Sequence, residues 1–372
     1  MSFTFGSLTI YHGLLLVPIA IIATTIYYTA LTLYNIYFHP LSSFPGPRLA
    51  AATPYWMALS YLGGRTPYDL LELQNKYRPV PEFSKDSKYF SALKGDPVII
   101  TADREYHSYI RKLFAHGFSE KAMREQEGVL KGFVDILFAR LGEEGEGGRA
   151  VDVVQWYNFL TFDFVGFLSL TYLLLKNPRV LAKLATEVRS TFTHPDGITF
   201  TGVNGCKYLL ACIEEALRVY PPSPQPHHRI VPAGGATVEG VFLPEGTSVS
   251  IPIYAASHSS VNWTLPEEFI PERWMATKDG GHGKGDGDGD GDVDVRLFAG
   301  DQRDASQPFQ VGPRNCIGRN LAYAEIKIIM ARSVWQFDIE NAMDGDWIGM
   351  QKVFMVWEKA PLWVKLHPVS RG

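Results

Sequence analysis

Polar and apolar positions divide the chain sharply at its start. No Asp, Glu, Lys or Arg precedes Arg48, and Leu14 to Tyr34 reads LLLVPIAIIATTIYYTALTLY, an apolar run interrupted by Pro18 and four threonines. About 20 such residues in a helix rise roughly 30 Å, the thickness of a hydrocarbon core. The run therefore predicts one membrane-spanning helix, with Tyr27, Tyr28, Tyr34 and Tyr37 suited to its interfacial end. A secretory signal peptide would need a basic leading segment and a small-residue cleavage site, and neither is present. Arg48, Arg65, Lys76 and Arg78 all follow the span, which puts the bulk of the chain in the cytosol. His39-Pro40 through Phe44-Pro45-Gly46-Pro47-Arg48 reads as a stiff, extended joint. The expected division is a membrane anchor over residues 1–40 and a second domain over residues 41–372.

Beyond the joint the apolar spacing is mostly helical. Thr66-Pro67 starts a helix through YDLLELQNKY, and residues 103–114, 120–141, 151–166, 177–191 and 207–219 carry the same period. Asn177-Pro178 reads as a further cap followed by proline in the first turn. Thr237 to Ile251 predicts a strand pair turning at Pro244-Glu245-Gly246, and 353–357 and 362–366 predict two short strands. Residues 279–294 (DGGHGKGDGDGDGDVD) form a low-complexity stretch. Calcium-loop spacing fails there, because counting from Asp286 puts Leu297 where the bidentate glutamate belongs. A solvated flexible insert is the expectation.

Composition then narrows the classes. The 372 residues are 46% hydrophobic and 20% charged, with a net charge of −4. That is enough apolar surface for a folded core, and there is no positive excess to neutralise nucleic-acid phosphates. Three cysteines, Cys206, Cys212 and Cys316, are too few for a disulfide framework and fit a reducing compartment.

Cys316 is the residue with the clearest chemistry. It stands just before an expected helix over 318–335, where backbone N–H groups and the helix dipole favour a thiolate. A thiolate in an apolar loop is an axial-ligand candidate for haem iron. In the same loop Gly312 and Gly318 would let backbone approach a flat macrocycle, Arg314 is placed to pair with a propionate, and Phe309 would shield the sulfur. The neighbours His227 and His228, in extended chain, point to opposite faces and receive no ligand role.

Phe309-Gln310-Val311-Gly312-Pro313-Arg314-Asn315-Cys316-Ile317-Gly318 resembles the signature Phe-x-x-Gly-x-Arg-x-Cys-x-Gly of the haem-thiolate monooxygenases, the cytochrome P-450 family, at every fixed position. Glu215-Ala216-Leu217-Arg218 matches the family's Glu-x-x-Arg, and Pro271-Glu272-Arg273-Trp274 its later Pro-Glu-Arg. Glu215 and Arg218 lie three apart on one helix face, and the resemblance implies that Arg273 joins them in a buried, structural carboxylate–guanidinium trio. It also implies that His107 and Arg111, in DREYHSYIRKLFAHGFS, and Arg229, in HHRIVPAGG, hold haem propionates. The wording of RIVPAGGATVEG, FIPERWM and GPRNCIGRNLAYAEIK is similar to fungal microsomal enzymes of secondary metabolism, the isotrichodermin (trichothecene) hydroxylase-like group. The implied fold is mainly α with small β sheets, preceded by one transmembrane helix. The implied activity is a haem b monooxygenase inserting one atom of dioxygen into an apolar secondary metabolite. Its electrons would come from NADPH through a cytochrome reductase, with a cytosolic haem domain anchored single-pass at the endoplasmic reticulum.

The family pattern is also incomplete. The Ala/Gly-Gly-x-Asp/Glu-Thr of the central oxygen-activation helix is missing, so no catalytic residue is identified. NFLTFDFVGF passes directly into LSLTYLLLKNPRV near Gly166 to Leu168, leaving no sequence for the central helix or for the helices that roof the substrate pocket. A smaller gap falls at Arg78 to Glu82. Hydroxylation should therefore be impaired. The alternatives are a non-catalytic haem-binding or decayed remnant, and a peroxide-using relative that dispenses with the proton relay.

Overall fold

The computed structural model describes residues 5–42, 44, 46–76, 84–85, 99–100, 102–158, 165–238, 240–275, 293–354 and 356–370. The chain divides into two compact units, Met1–Gly64 and Arg65–Gly372.

The first unit holds α1 (Phe5–Tyr37), α2 (Arg48–Ala52) and α3 (Tyr55–Leu62). Within α1, Leu16–Tyr37 is long and apolar enough to cross a bilayer, and the protein buries none of it. Two of its threonines need not present unpaired hydroxyls to lipid. Thr25 donates to the Ile21 carbonyl at 2.8 Å and Thr29 to the Thr25 carbonyl at 2.7 Å. The Asn35 amide donates to Ala52 O at 3.4 Å, tying α2 to the end of α1.

The second unit is mainly helical with small sheets. It opens with α4 (Thr66–Lys76), β1 (Ser84–Lys85), α5 (Arg104–Ala115) and α6 (Glu120–Glu144). Side-chain caps set both later starts: the Asp103 carboxylate accepts the Tyr106 N–H at 2.8 Å, and the Ser119 hydroxyl accepts the Ala122 N–H at 3.3 Å. The expected helix over 151–166 is instead β2 (Ala150–Asp152) followed by α7 (Val153–Asn158). Val151 is drawn into a strand by pairing with Val364, and Asp152 Oδ1 then caps the short helix by accepting the Val154 N–H at 3.0 Å. Only residues 159–164, outside the described set, separate α7 from α8 (Val165–Lys176). Six residues cannot form the missing central and roof helices.

Next come α9 (Pro178–Thr191) and α10 (Lys207–Val219). Proline does stand at the start of α9, but Asn177 does not cap it; its amide donates back to Leu173 O at 2.8 Å. Four short strands follow: β3 (Arg229–Ile230), β4 (Ala236–Val238), β5 (Val241–Leu243) and β6 (Ser248–Val249). The hairpin pairs β4 with β5, and β6 returns to pair with β3, which also pairs with β1. The expected turn at 244–246 is thus not the hairpin turn. Gly240, at φ 78°, supplies the left-handed residue between β4 and β5, while 244–246 brings the chain back beside Val231.

The chain continues through α11 (Ile253–His258) to α12 (Arg319–Gln336), which runs straight into β7 (Phe337–Asn341). β8 (Lys352–Val353) and β9 (Trp357–Glu358) make a small ladder, and β10 (Trp363–Pro368) lies between β2 and β7 in an antiparallel sheet. The low-complexity insert lies, except for 293–294, outside the described residues, as does the 78–82 junction. At the centre is α10, which packs on α8, α9, α11 and α12 and buries ten of its thirteen residues, leaving Lys207 and Leu210 exposed. That burial includes Glu215 and Arg218, whose charges must be met internally.

Candidate functional site

The segment before α12 closes into a loop. The Cys316 N–H donates to Phe309 O at 2.8 Å and the Asn315 N–H to Gly312 O at 3.1 Å. Two left-handed residues make the reversal, Gly312 at φ 78° and Gln310 at φ 59°. A Cβ on Gly312 would meet no atom within 4 Å, so glycine is required there by conformation and not by crowding. Gln310 carries the same conformation with a side chain, at a cost of about 1 kcal/mol. Gly318 caps α12 at φ −83°, open to any residue. The Phe309 ring packs 5.2 Å from Tyr323 on α12, fixing one side of the loop to the helix.

Cys316 itself is exposed, whereas Cys206 and Cys212 are buried and none of the three is in a disulfide. Burial pushes both buried thiols up, Cys212 well above its ordinary value. Accessible thiol chemistry therefore belongs to Cys316, two residues ahead of the α12 cap.

Guanidinium groups from remote segments meet this loop. Arg111 NH1 on α5 donates to the Asn315 carbonyl at 2.6 Å and NH2 to Asn315 Oδ1 at 2.5 Å. Arg229 is buried on β3, and its NH2 donates to Gln310 Oε1 at 3.0 Å while NH1 reaches the His227 and His228 carbonyls. Arg314, within the loop, donates to Ala102 O at 3.0 Å, joining it to the residues just before α5. His107 lies one turn before Arg111 on α5 and is buried. A cavity of about 270 Å³ opens beside the loop, with Gln310 and Val311 in its wall together with Arg229, His227 and Ile251. Gln310 and Asn315, which receive two of these arginines, occupy variable positions of the motif, so its fixed residues gave no sign of them.

The structural trio is assembled in full. Arg218 grips Glu215 with two bonds of 2.9 Å, and Arg273 Nε donates to the same carboxylate at 2.9 Å. The Ile270 N–H and the Trp274 indole complete the shell at 2.9 and 2.8 Å. All three charged side chains have no exposure. Burial alone would raise the Glu215 carboxyl, but Arg218 and Arg273 and the Ile270 N–H overcome it and hold it below the ordinary value. Asp301 supplies a second carboxylate, accepting from Arg273 NH1 at 2.5 Å. With Glu215 it gives the two guanidiniums two negative partners. Glu272 of the same Pro-Glu-Arg run anchors α9 through Arg179 at 2.8 Å and accepts the Tyr208 hydroxyl at 2.8 Å.

These residues fit an iron porphyrin. An exposed thiol supplies the soft axial donor, the loop holding it is turned by left-handed residues, and arginines suited to carboxylates converge on its flanks.

Comparison with known proteins agrees. The family model for cytochrome P450 matches residues 168–361, which include Cys316 and the trio. The chain is 32% identical to cytochrome P450 monooxygenase hepD of Aspergillus oryzae, over 94% of this chain and 95% of the relative. It is 30% identical to cytochrome P450 monooxygenase tpeC of Talaromyces stipitatus, over 91% and 92% of the two chains. An averantin hydroxylase of Dothistroma septosporum is 29% identical, over 90% and 88%. The first alignment spans 494 positions against a chain of 372 residues, so well over a hundred positions of the relative face gaps.

Proposed function

The chain belongs to the cytochrome P450 family, a haem b family of monooxygenases, and we propose that Cys316 is its iron ligand, with Arg111, Arg229, Arg314 and His107 holding the propionates. One observation carries this reading: the exposed Cys316 sits ahead of α12 in a loop to which Arg111 and Arg229 are already hydrogen-bonded from segments far away in sequence. Bound haem supplies the iron at which dioxygen is reduced and one of its atoms passed to substrate. The protein's own part is to position and shield. The loop would fix the sulfur, Phe309 would cover one side, and the guanidiniums, Arg229 buried and Arg111 and Arg314 half-buried, would neutralise the propionate carboxylates. The substrate class is an apolar secondary metabolite, entering from the membrane that α1 would span. The electron donor is an NADPH-dependent reductase, and the haem domain, residues 41–372, faces the cytosol at the endoplasmic reticulum.

A second observation bears on turnover. With only six residues between α7 and α8, no described segment at that junction roofs a substrate or holds a proton-relaying acid and threonine. The residues present would then leave a haem site open to water, and reducing power supplied to bound haem would be poorly coupled to substrate. The protein binds haem but hydroxylates poorly. The test is reconstitution with hemin and a fungal reductase. A thiolate-type band in the reduced carbon-monoxide spectrum, with NADPH consumed and little product, is expected. Absence of the band removes the ligand assignment, and tightly coupled hydroxylation removes the impairment.

A further inference from the structure

A second cavity, of about 350 Å³, is walled by the first turns of α6 and α12 and by the turn at Gly202–Gly205. That is the size of a small-molecule site. Three cations line it, Arg124 from α6 and Arg319 and Lys327 from α12. Lys327 Nζ is steadied by Asn204 Oδ1 at 3.0 Å, and the Arg319 guanidinium lies 5.7 Å over the Tyr323 ring. Two carboxylates oppose them. Glu120 is an exposed neighbour of Arg124 at 3.9 Å, and Glu214 behind the wall already accepts the Tyr323 hydroxyl at 2.9 Å. Glu120 offsets part of the charge of Arg124, and Glu214 acts on both Arg319 and Lys327, so three cations facing two carboxylates leave the site a smaller positive excess. Burial pushes the Lys327 ammonium down and the Glu214 carboxyl up, the mark of a site where charge is weakly solvated. Phe200, Met123 and Tyr323 add apolar wall beyond what a free inorganic ion would use.

We propose that this cavity binds an organic phosphate monoester, the phosphate held by Arg124, Arg319 and Lys327 and the organic group against Phe200 and Tyr323. A phosphate monoester is close to a dianion at neutral pH and offers three acceptor oxygens, which matches two guanidiniums and an ammonium better than a monoanion does. The assignment does not depend on haem. None of the pocket residues belongs to the proposed haem-binding set.

The test is calorimetric titration of the full chain in detergent micelles, at constant ionic strength, with phenyl phosphate, inorganic phosphate and phenol. Phenyl phosphate is expected to saturate one site, and Arg319→Gln and Lys327→Gln each to weaken it about tenfold. Arg140→Gln, an exposed cation elsewhere on α6, is expected to bind as wild type does. Inorganic phosphate binding as tightly as the ester overturns the monoester assignment, because the wall of Phe200 and Tyr323 then contributes nothing. The proposal is overturned by phenol binding as tightly as phenyl phosphate, by heats that never saturate, or by undiminished affinity in both variants. Should Arg319→Gln fail to fold, Arg124→Gln, whose side chain is mostly exposed, replaces it.

Discussion

Arg111 and Asn315 are held together at two points across 204 residues of chain, through the Asn315 carbonyl and its side-chain oxygen. The fork of a single guanidinium thereby sets the position of the peptide next to Cys316. Arg111→Lys keeps the charge and loses the fork, so it is expected to weaken hemin binding about as much as Arg111→Leu, by roughly tenfold. Asn315→Ala removes one acceptor and leaves the carbonyl, costing about 1 kcal/mol of apoprotein stability. Hemin titration followed by absorbance, with thermal unfolding of the same apoproteins, checks both. Full retention of affinity in Arg111→Lys would show that charge alone matters.

Cys316→Ala separates ligation from folding. The side chain is exposed, so its removal opens no core cavity, and apoprotein stability should stay within about 0.5 kcal/mol of wild type. The thiolate-type carbon-monoxide band should vanish completely. In the native apoprotein iodoacetamide should modify a single cysteine, and that modification should be absent from the variant, because Cys206 and Cys212 are buried with thiols pushed up. Modification of either buried thiol at a comparable rate contradicts this.

Glu215 carries two guanidiniums in a place closed to solvent. Glu215→Leu leaves Arg218 without a carboxylate, and the loss expected is about 3–5 kcal/mol, a large part of any domain's stability. Urea unfolding of the apoprotein should show it as a lower midpoint at unchanged slope. The folded carboxyl is held below its ordinary value of 4.5, so its contribution is present above that pH and is lost as the pH falls through the folded value. A variant within about 1 kcal/mol of wild type would mean that the carbonyls of Ser257, Pro266 and Glu268, which also accept from Arg218, suffice alone.

The parts of the fold and site legible in the sequence are those fixed by local pattern. The helices expected over 103–114 and 120–141, the span in α1 and the helix after Cys316 all follow from neighbours within a turn or two. The parts not legible are set by partners far away. Val151 becomes a strand residue only because Val364 pairs with it, and the β4–β5 hairpin turns at Gly240 and not at Pro244-Glu245-Gly246 because β6 is claimed by β3. In the same way Gln310 and Asn315 stand at positions where the motif accepts any residue, and their parts as acceptors for Arg229 and Arg111 appear only when the chain is folded. Asp301, the second carboxylate on Arg273, had no motif to mark it.

His258 makes folding sensitive to mild acid. It ends α11 fully enclosed, its Nδ1 3.0 Å from the Tyr254 carbonyl and its ring stacked 4.0 Å from Tyr254. Burial first, and then the positive charge of Arg218, push its pKa down from 6.5 to about 3. The folded state therefore keeps His258 neutral where the unfolded chain protonates it. Its contribution is complete above pH 6.5 and drains away toward pH 3, at about 1.4 kcal/mol per pH unit through the steep part. Glu214 and Glu267, whose carboxyls burial pushes up, act in the opposite sense, so the wild-type curve alone mixes the effects. The difference between wild type and His258→Asn isolates the histidine. Urea unfolding at pH 7, 6 and 5 should show wild type losing more stability than the variant, by about 2 kcal/mol between the first and last points. Parallel curves would mean that His258 is protonated in the folded protein.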